Sequence, residues 1–168
     1  THRLLGFAKR MDVQADSLDL EHLLKEVLGF LEKEAALRSL AIGFHVGDDL
    51  PLIVSDRGQL QQVFLNILNN AFAAVEDKGH IDIGLERVED DSVAVTITDD
   101  GHGIPKELQR NIFDPFFSTK GEYGTGLGLS ITHGIVGKLG GKIRVRSEVN
   151  QGTAFTIELP INRVETGE

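Results

Sequence analysis

The 168-residue chain predicts a two-layer α/β sandwich, with a mixed, mainly antiparallel sheet and helices on one face. Three observations predict this class. Two segments carry apolar residues at helical spacing, beginning at Leu20 and Leu60. Two pairs of alternating apolar segments, within 81–97 and 143–159, predict antiparallel strand pairs. The predicted order is helix, strand, helix, two strands, a glycine-rich loop, helix and two strands.

The first half of the chain predicts two amphipathic helices with a strand between them. Residues 13–18 are interpreted as a linker, and Asp19 is expected to cap the first helix. Residues 40–46 (LAIGFHV) alternate like a strand. Asp56 is expected to cap the second helix, whose apolar residues recur at i, i+3 and i+4. We expect this helix to end near 78–79, where a lysine precedes a glycine.

The second half predicts four strands and one helix. Residues 81–85 and 93–97 alternate and are joined by an acidic turn, so they predict a hairpin. Residues 127–139 predict a helix that stops at a glycine pair. Residues 143–145 and 155–159 predict two further strands around a turn.

Composition excludes several classes of function. The 17 basic and 26 acidic residues give a net charge of −9, which disfavours nucleic acid and anionic membranes as partners. The chain has no cysteine, so disulfide scaffolds, cysteine-ligated metals and cysteine nucleophiles are excluded. No apolar run approaches the roughly 20 residues that span a bilayer. We therefore expect a soluble, intracellular domain.

The second predicted helix carries a pair of asparagines at its edge. Asn66 and Asn70 are four residues apart, so they share one face beside the apolar stripe. Amide oxygen is a hard ligand of the kind Mg²⁺ prefers, and Mg²⁺ commonly takes only one or two protein ligands. The alternative is that both side chains are solvated surface residues.

Asp99 follows a predicted strand and precedes two glycines, Gly101 and Gly103. Glycine allows a tight turn and lets a flat ring approach the main chain. An ionised carboxylate only accepts hydrogen bonds, so it suits the amino group of adenine and rejects the carbonyl of guanine. The alternative interpretation is an ordinary Asp-Gly turn.

Two further motifs lie between residues 112 and 129. Gly124, Gly126 and Gly128 alternate immediately before a predicted helix, and backbone N–H groups there favour phosphate. Their spacing matches neither the P-loop nor the dinucleotide fingerprint. Three phenylalanines at 113–117 could anchor a lid, and Lys120 could meet a terminal phosphate. The alternatives are a flexible surface loop and an ordinary hydrophobic connection.

Together these motifs resemble the catalytic, ATP-binding domain of bacterial sensor histidine kinases, within the GHKL superfamily of gyrase, Hsp90, histidine kinase and MutL. The resemblance covers about residues 19–160. It implies the Bergerat α/β sandwich. Residues 116–120 (FFSTK) are similar to the nitrogen-regulation type of sensor kinase. The family's boxes match in order: the N box at 66–71, the G1 box at 99–103, the F box at 113–117 and the G2 box at 124–129.

The resemblance implies ATP and Mg²⁺ as ligands, with Asn70 holding the metal and Asp99 the adenine. Asn66 and Lys120 would be the catalytic residues. Asn66 stands where ATP-hydrolysing relatives carry Glu, and since an amide is no general base, hydrolysis should be slow. The other positions expected to bind the nucleotide are Gly101, Gly103, Ile104, Phe117, Thr119, Lys120, Gly124, Thr125, Gly126, Leu127, Gly128, Leu129 and Thr153.

Two features depart from the family pattern. Residues 71–74, after the N-box asparagine, contain no Lys or Arg, which places more of the phosphate charge on Lys120 and the glycine-rich lid. None of the six histidines is followed by an acidic residue, as the phospho-accepting histidine would be. Residues 1–15 resemble the end of the dimerisation and phosphotransfer hairpin with its linker, so the acceptor is expected upstream. Residues 16–162 would form the catalytic domain and 163–168 a tail.

The implied function is transfer of the γ-phosphoryl group of Mg-ATP to a histidine on that upstream hairpin, for relay to a response regulator aspartate. We expect a cytoplasmic domain that is a monomer or weak dimer, from a homodimeric parent of a class that is often membrane-anchored. Two alternatives stay open. One is a protein serine kinase of the anti-sigma-factor type, and the other is a nucleotide-dependent interaction module without transferase activity.

Overall fold

The computed structural model describes residues 15–115 and 128–162, which form the predicted α/β sandwich. In chain order the elements are β1 (Ala15–Leu18), α1 (Leu20–Leu37), β2 (Ala41–Val46), β3 (Ile53–Asp56), α2 (Arg57–Ala74), β4 (His80–Val88), β5 (Ser92–Asp99), α3 (Lys106–Gln109), α4 (Gly128–Lys138), β6 (Lys142–Glu148) and β7 (Gly152–Pro160).

The main sheet has five strands in the order β2-β4-β5-β7-β6. β2 runs parallel to β4, because the chain between them crosses over through α2. The other three pairings, β4–β5, β5–β7 and β6–β7, are antiparallel. The sheet is therefore mixed and mainly antiparallel, as predicted.

One face of this sheet packs against the helices. Alternate residues of β4 and β7 are buried, as period-2 side chains on a half-covered sheet should be. The facing stripe of α2 is fully buried, and each such side chain contributes roughly 1.5–3 kcal/mol relative to exposure. Its members without exposed surface are Leu60, Val63, Phe64, Ile67 and Leu68.

Both predicted helix starts are confirmed by their caps. The Asp19 carboxylate accepts a hydrogen bond of 3.3 Å from the backbone N–H of His22. The Asp56 carboxylate accepts one of 3.0 Å from the backbone N–H of Gln59. Each cap satisfies a donor that the first helical turn leaves unpaired.

The predicted end of α2 is wrong. The helix ends at Ala74 rather than near 78–79, and Val75 is already extended, with φ −88° and ψ 154°. The last turn contains no basic residue. Its cation comes instead from the end of α1, where Arg38 donates hydrogen bonds of 2.8 and 2.7 Å to the carbonyls of Phe72 and Val75.

The interpretation of residues 13–18 as a linker is also wrong for the part that the structure describes. Residues 15–18 form β1, which pairs antiparallel with the unpredicted β3 in a separate two-stranded sheet. Three of the four β1 residues are exposed, so the strand lacks an apolar alternation. The proposed division at 15/16 and 162/163 stays a prediction.

Candidate functional site

The last residue of β5, Asp99, is buried with 6% of its surface exposed. Its carboxylate accepts a hydrogen bond of 2.8 Å from the backbone N–H of Gly101. Burial raises the pKa of Asp99, and the backbone N–H groups of Gly101 and Thr153 offset part of that rise. A buried acceptor that is held by main-chain donors is a preformed partner for a ligand amino group.

The adjacent carboxyl, Asp100, lies in the opposite environment. It is exposed, accepts a hydrogen bond of 3.0 Å from the backbone N–H of His80, and its Oδ2 lies 3.1 Å from the His80 ring. These contacts, the backbone bond foremost, lower the pKa of Asp100. A carboxyl whose pKa is perturbed by burial is a candidate functional position, and of these two neighbours it is Asp99.

Both glycines of the loop after β5 face neighbouring main chain. A Cβ on Gly101 would lie 2.4 Å from the carbonyl oxygen of Ala74, at the end of α2. Gly103 has a φ of +75°, and its Cβ would lie 2.1 Å from the carbonyl oxygen of Glu148. Glycine is thus required because the loop is wedged between two elements. That these glycines also line a base-binding site stays a prediction.

A hydrogen-bond network that sequence reasoning missed joins this loop to β6 and β7. Ile104 donates its backbone N–H to Ser147 Oγ at 2.8 Å. Ser147 Oγ also lies 2.8 Å from Thr153 Oγ1 and donates to the Gly152 carbonyl at 2.9 Å. Gln109 Nε2 donates to the carbonyls of Ile104 and Ser147 at 2.8 and 3.1 Å. The network joins two predicted site residues, Ile104 and Thr153, and the backbone N–H of Thr153 donates to the third, Asp99.

Asn66 and Asn70 are both half-buried on α2, but their environments differ. Asn66 Nδ2 donates to the Gly128 carbonyl at 3.4 Å and to the buried Thr132 hydroxyl at 3.2 Å, which joins α2 to the start of α4. No hydrogen bond between the Asn70 amide and another residue of 15–115 or 128–162 is found. That Asn70 holds a metal ion stays a prediction.

The described part of the F box is anchored to two elements. Ile112 is buried with 2% exposure, and Phe113 is half-buried against the core. The Phe113 ring centroid lies 5.0 Å from that of His133 on α4 and 6.5 Å from that of Phe155 on β7. This residue therefore ties the segment after α3 to the helix that follows the glycine-rich motif.

The remaining predicted positions divide between the described and masked parts of the chain. Gly128 begins α4, and Leu129 packs half-buried against the core. In the parts that the structure describes, no cluster of three His, Asp or Glu side chains could hold a metal, and no helix is long and apolar enough to cross a membrane. Seven predicted positions lie outside the described residues, namely Phe117, Thr119, Lys120, Gly124, Thr125, Gly126 and Leu127.

Comparison with known proteins agrees with this geometry. Residues 55–163 match the family model described as histidine kinase-, DNA gyrase B-, and HSP90-like ATPase. The sensor histidine kinase ZraS of Escherichia coli is 36% identical over 95% of this chain and 34% of ZraS. The chain spans only about a fifth to a third of the curated relatives that it matches.

Solved structures give the same result. The catalytic domain of the histidine kinase ThkA is 33% identical, with a TM-score of 0.81 over 89% of this chain and 97% of that domain. ThkA in complex with the response regulator protein TrrA is 29% identical, with a TM-score of 0.79 over 95% of this chain and 46% of that one. Full-length ShkA in complex with AMPPNP is 28% identical, with a TM-score of 0.83 over 93% of this chain and 33% of that one.

The family model covers more than half of the chain, and the ThkA catalytic domain is matched over nearly its whole length. The chain therefore belongs to the histidine kinase-, DNA gyrase B- and HSP90-like ATPase family, as an ATP-binding catalytic domain of the sensor histidine kinase type.

Proposed function

We propose that this domain binds Mg-ATP and transfers the γ-phosphoryl group to a histidine on a separate helical hairpin of the parent protein. The observation that carries the proposal is Asp99, a buried carboxylate at a strand end that main-chain N–H groups hold in place. The AMPPNP complex of the related ShkA supports a nucleotide as the ligand.

Asp99 would select the base. An ionised carboxylate accepts a hydrogen bond from the amino group of adenine. A guanine carbonyl in the same place is also an acceptor, so no hydrogen bond could form between the two oxygens. An unpaired buried carboxylate is costly, so the contact discriminates as well as binds. The domain should therefore prefer ATP over GTP.

Asn70 would hold Mg²⁺, which in such sites keeps most of its water and otherwise contacts phosphate. Bound there, the ion would supply charge neutralisation on the phosphate oxygens. Asn66 already donates its amide N–H groups to Gly128 and Thr132, so it would position the start of α4 rather than accept a proton. Lys120 and the glycines at 124–128 are proposed to hold the phosphates.

The reaction would be an in-line displacement. The imidazole nitrogen of the acceptor histidine forms a bond to the γ-phosphorus as the bond to the β-γ bridging oxygen breaks, and ADP leaves. The imidazole proton passes to a base outside this chain. The domain contributes positioning and charge stabilisation, which supply most of the catalysis in phosphoryl transfer.

We propose two partners for this domain, a response regulator and the upstream hairpin of the parent protein. A response regulator aspartate would receive the phosphoryl group, since ThkA forms a complex with the response regulator TrrA. The upstream hairpin of the parent would supply the acceptor and the homodimer, leaving this domain a monomer or weak dimer in the cytoplasm. The FFSTK sequence at 116–120 favours the nitrogen-regulation type.

The first test is calorimetric titration of the purified chain with ADP and AMPPNP, with and without Mg²⁺. We expect magnesium-dependent binding of both adenine nucleotides and none of GTP. Asp99→Asn should weaken binding by at least about tenfold, the equivalent of about 1.4 kcal/mol. Asp100→Asn, which changes the adjacent exposed carboxyl, is the matched control and should bind normally. Failure to bind at millimolar nucleotide would contradict the proposal that this domain binds Mg-ATP.

The second test separates the two kinase classes. With an added histidine-containing hairpin and γ-labelled ATP, we expect label on the hairpin that is lost in acid, as phosphohistidine requires. Acid-stable label on a serine substrate would support the anti-sigma-factor type instead. Steady-state hydrolysis by the domain alone should be slow, since the amide at position 66 is no general base at neutral pH. Rapid turnover would contradict the assignment.

A further inference from the structure

Ser147 is a point where three parts of the site meet, although no motif contains it. It lies on β6 directly opposite Thr153 on β7, so the two side chains share a sheet face. Its hydroxyl contacts the backbone N–H of Ile104, the carbonyl of Gly152 and the hydroxyl of Thr153, at 2.8, 2.9 and 2.8 Å.

Proton counting orients this cluster. A serine hydroxyl has one proton, a backbone N–H only donates and a carbonyl only accepts. Ser147 therefore accepts from Ile104 and gives its own proton to Gly152. The contact with Thr153 must then be donated by Thr153. The reverse arrangement, with Ser147 donating to Thr153, leaves the carbonyl of buried Gly152 with one hydrogen bond fewer.

This orientation decides what Thr153 can offer a ligand. Once its proton is committed to Ser147, the Thr153 oxygen can only accept. Thr153 pairs with Asp99 across β5 and β7, so their side chains lie on one face with Cβ atoms about 4.5–5.5 Å apart. Asp99 also only accepts when ionised. The two side chains thus form a paired acceptor surface.

We propose that Ser147 is a positioning residue that holds the Thr153 hydroxyl as an acceptor beside Asp99, so that the pair selects a 6-amino purine over a 6-oxo purine. This inference rests on the proposed ATP-binding function. Ser147 acts through Thr153 and the Ile104 backbone and need not touch the nucleotide.

Gln109 allows the two actions of Ser147 to be separated. Its side chain holds the same loop through the carbonyls of Ile104 and Ser147, but it makes no hydrogen bond to the Thr153 hydroxyl. Loss of Gln109 should loosen the loop without changing the polarity of Thr153. Thr156, whose hydroxyl contacts Thr96 at 3.4 Å on the opposite sheet face, provides a matched control in the same strand.

The experiment measures dissociation constants of Mg-ATP and Mg-ITP by calorimetry for the full chain, with ITP carrying oxygen in place of the amino group. Ser147→Ala should weaken ATP about threefold to tenfold, as for loss of one or two net hydrogen bonds. It should also lower the ratio of the ITP dissociation constant to the ATP dissociation constant, because the freed Thr153 proton can be donated to the ITP oxygen. Ser147→Thr keeps the hydroxyl and should restore both values.

The controls make every outcome decisive. Gln109→Ala should weaken both nucleotides equally and keep the ratio, and Thr156→Val should change neither. Unchanged ATP binding by Ser147→Ala, or an equal loss for ATP and ITP, would overturn the inference while leaving the proposed function standing. If the unmutated chain binds neither nucleotide, the proposed function fails and the inference fails with it.

A thermal melt of each variant checks folding. If Ser147→Ala does not fold, Ser147→Cys replaces it, since a thiol occupies similar space but is a weak donor and a weak acceptor. The same decrease in the ratio of the two dissociation constants is expected, and an unchanged ratio would overturn the inference.

Discussion

At the scale of single residues, Asp99 and Asp100 show how one backbone step changes the chemistry of a carboxyl. The strand places Asp99 on the buried face and the loop leaves Asp100 in solvent. Burial raises the pKa of Asp99, and the hydrogen bond from His80 lowers that of Asp100. Ionisation of Asp99 therefore destabilises the folded state, whereas ionisation of Asp100 stabilises it.

The pH dependence of stability should report this difference. Since the pKa of Asp99 is raised, the folded state binds more protons than the unfolded state just above the ordinary carboxyl pKa of about 3.9. Its contribution to the free energy of unfolding must therefore fall as pH rises through that window. Asp99→Asn should gain stability relative to the unmutated chain as pH is raised, measured by urea unfolding.

The control for this prediction is Asp100→Asn. The pKa of Asp100 is lowered, so its stabilisation is present at neutral pH and is lost as pH falls. Asp100→Asn should therefore lose stability at neutral pH and converge with the unmutated chain in acid. The same sign of pH dependence for both variants would contradict the assignment of opposite shifts.

Motif reasoning found Asp99 but not Ser147, and the reason is physical. Asp99 can be identified from its neighbours in the sequence, the strand before it and the glycines after it. Ser147 is defined by partners 43 and 6 residues away in the chain, Ile104 and Thr153, which only the strand register brings together. Hydrogen-bond networks of this kind are not visible in local patterns.

At the scale of elements, α2 depends on a cation supplied by another helix. Arg38 donates to two carbonyls at the end of α2 and pairs with Asp77 at 2.8 Å. The pKa of Arg38 is raised, first by the hydrogen bond to Asp77. The guanidinium thus satisfies carbonyls that a helix end leaves unpaired and opposes the helix dipole.

Arg38→Ala should lower the free energy of unfolding by about 2 kcal/mol, since hydrogen bonds involving a charged group are worth about 1.5–3 kcal/mol. Denaturant unfolding measures the change. Arg38→Lys should recover only part, because an ammonium cannot reproduce the planar fork. Arg144→Ala, which removes an exposed pair with Glu158, is the control and should cost at most about 0.5 kcal/mol.

Loss of Arg38 should also weaken ATP binding. The end of α2 contacts the loop after β5, because Ala74 accepts a hydrogen bond of 3.2 Å from the backbone N–H of His102. Loosening that end should weaken ATP binding as well as folding. Lost stability with unchanged ATP binding would show that the cap supports the helix without supporting the site.

The elements predicted correctly are those whose pattern is long. α1 and α2 have 18 residues each, so a helical period repeats several times and their caps are conspicuous. β1 and β3 have four residues each and pair with each other rather than with the main sheet. So short a segment shows no reliable period. The end of α2 was missed because its cation belongs to another element.

At the scale of the whole molecule, the two ends of the described domain meet at one short strand. Ser17 of β1 pairs with Val54 of β3. The backbone N–H of Val54 donates to the carbonyl of Ile161 at 2.8 Å, so it points away from β1. Residues 17 and 161 therefore flank β3 on opposite edges, about two strand spacings or 10 Å apart.

Because residues 17 and 161 lie close together, the two ends of the described domain could be joined. The domain should then keep its fold when the chain is opened at another point. A spacer of about five Gly and Ser residues can bridge residues 15 and 162. A circular permutant opened in the exposed turn at 48–49 should unfold cooperatively and still prefer ATP to GTP, whereas one opened inside α2, at 64–65, should not fold. If the first permutant does not fold, the domain's stability depends on β1 being the first strand of the chain.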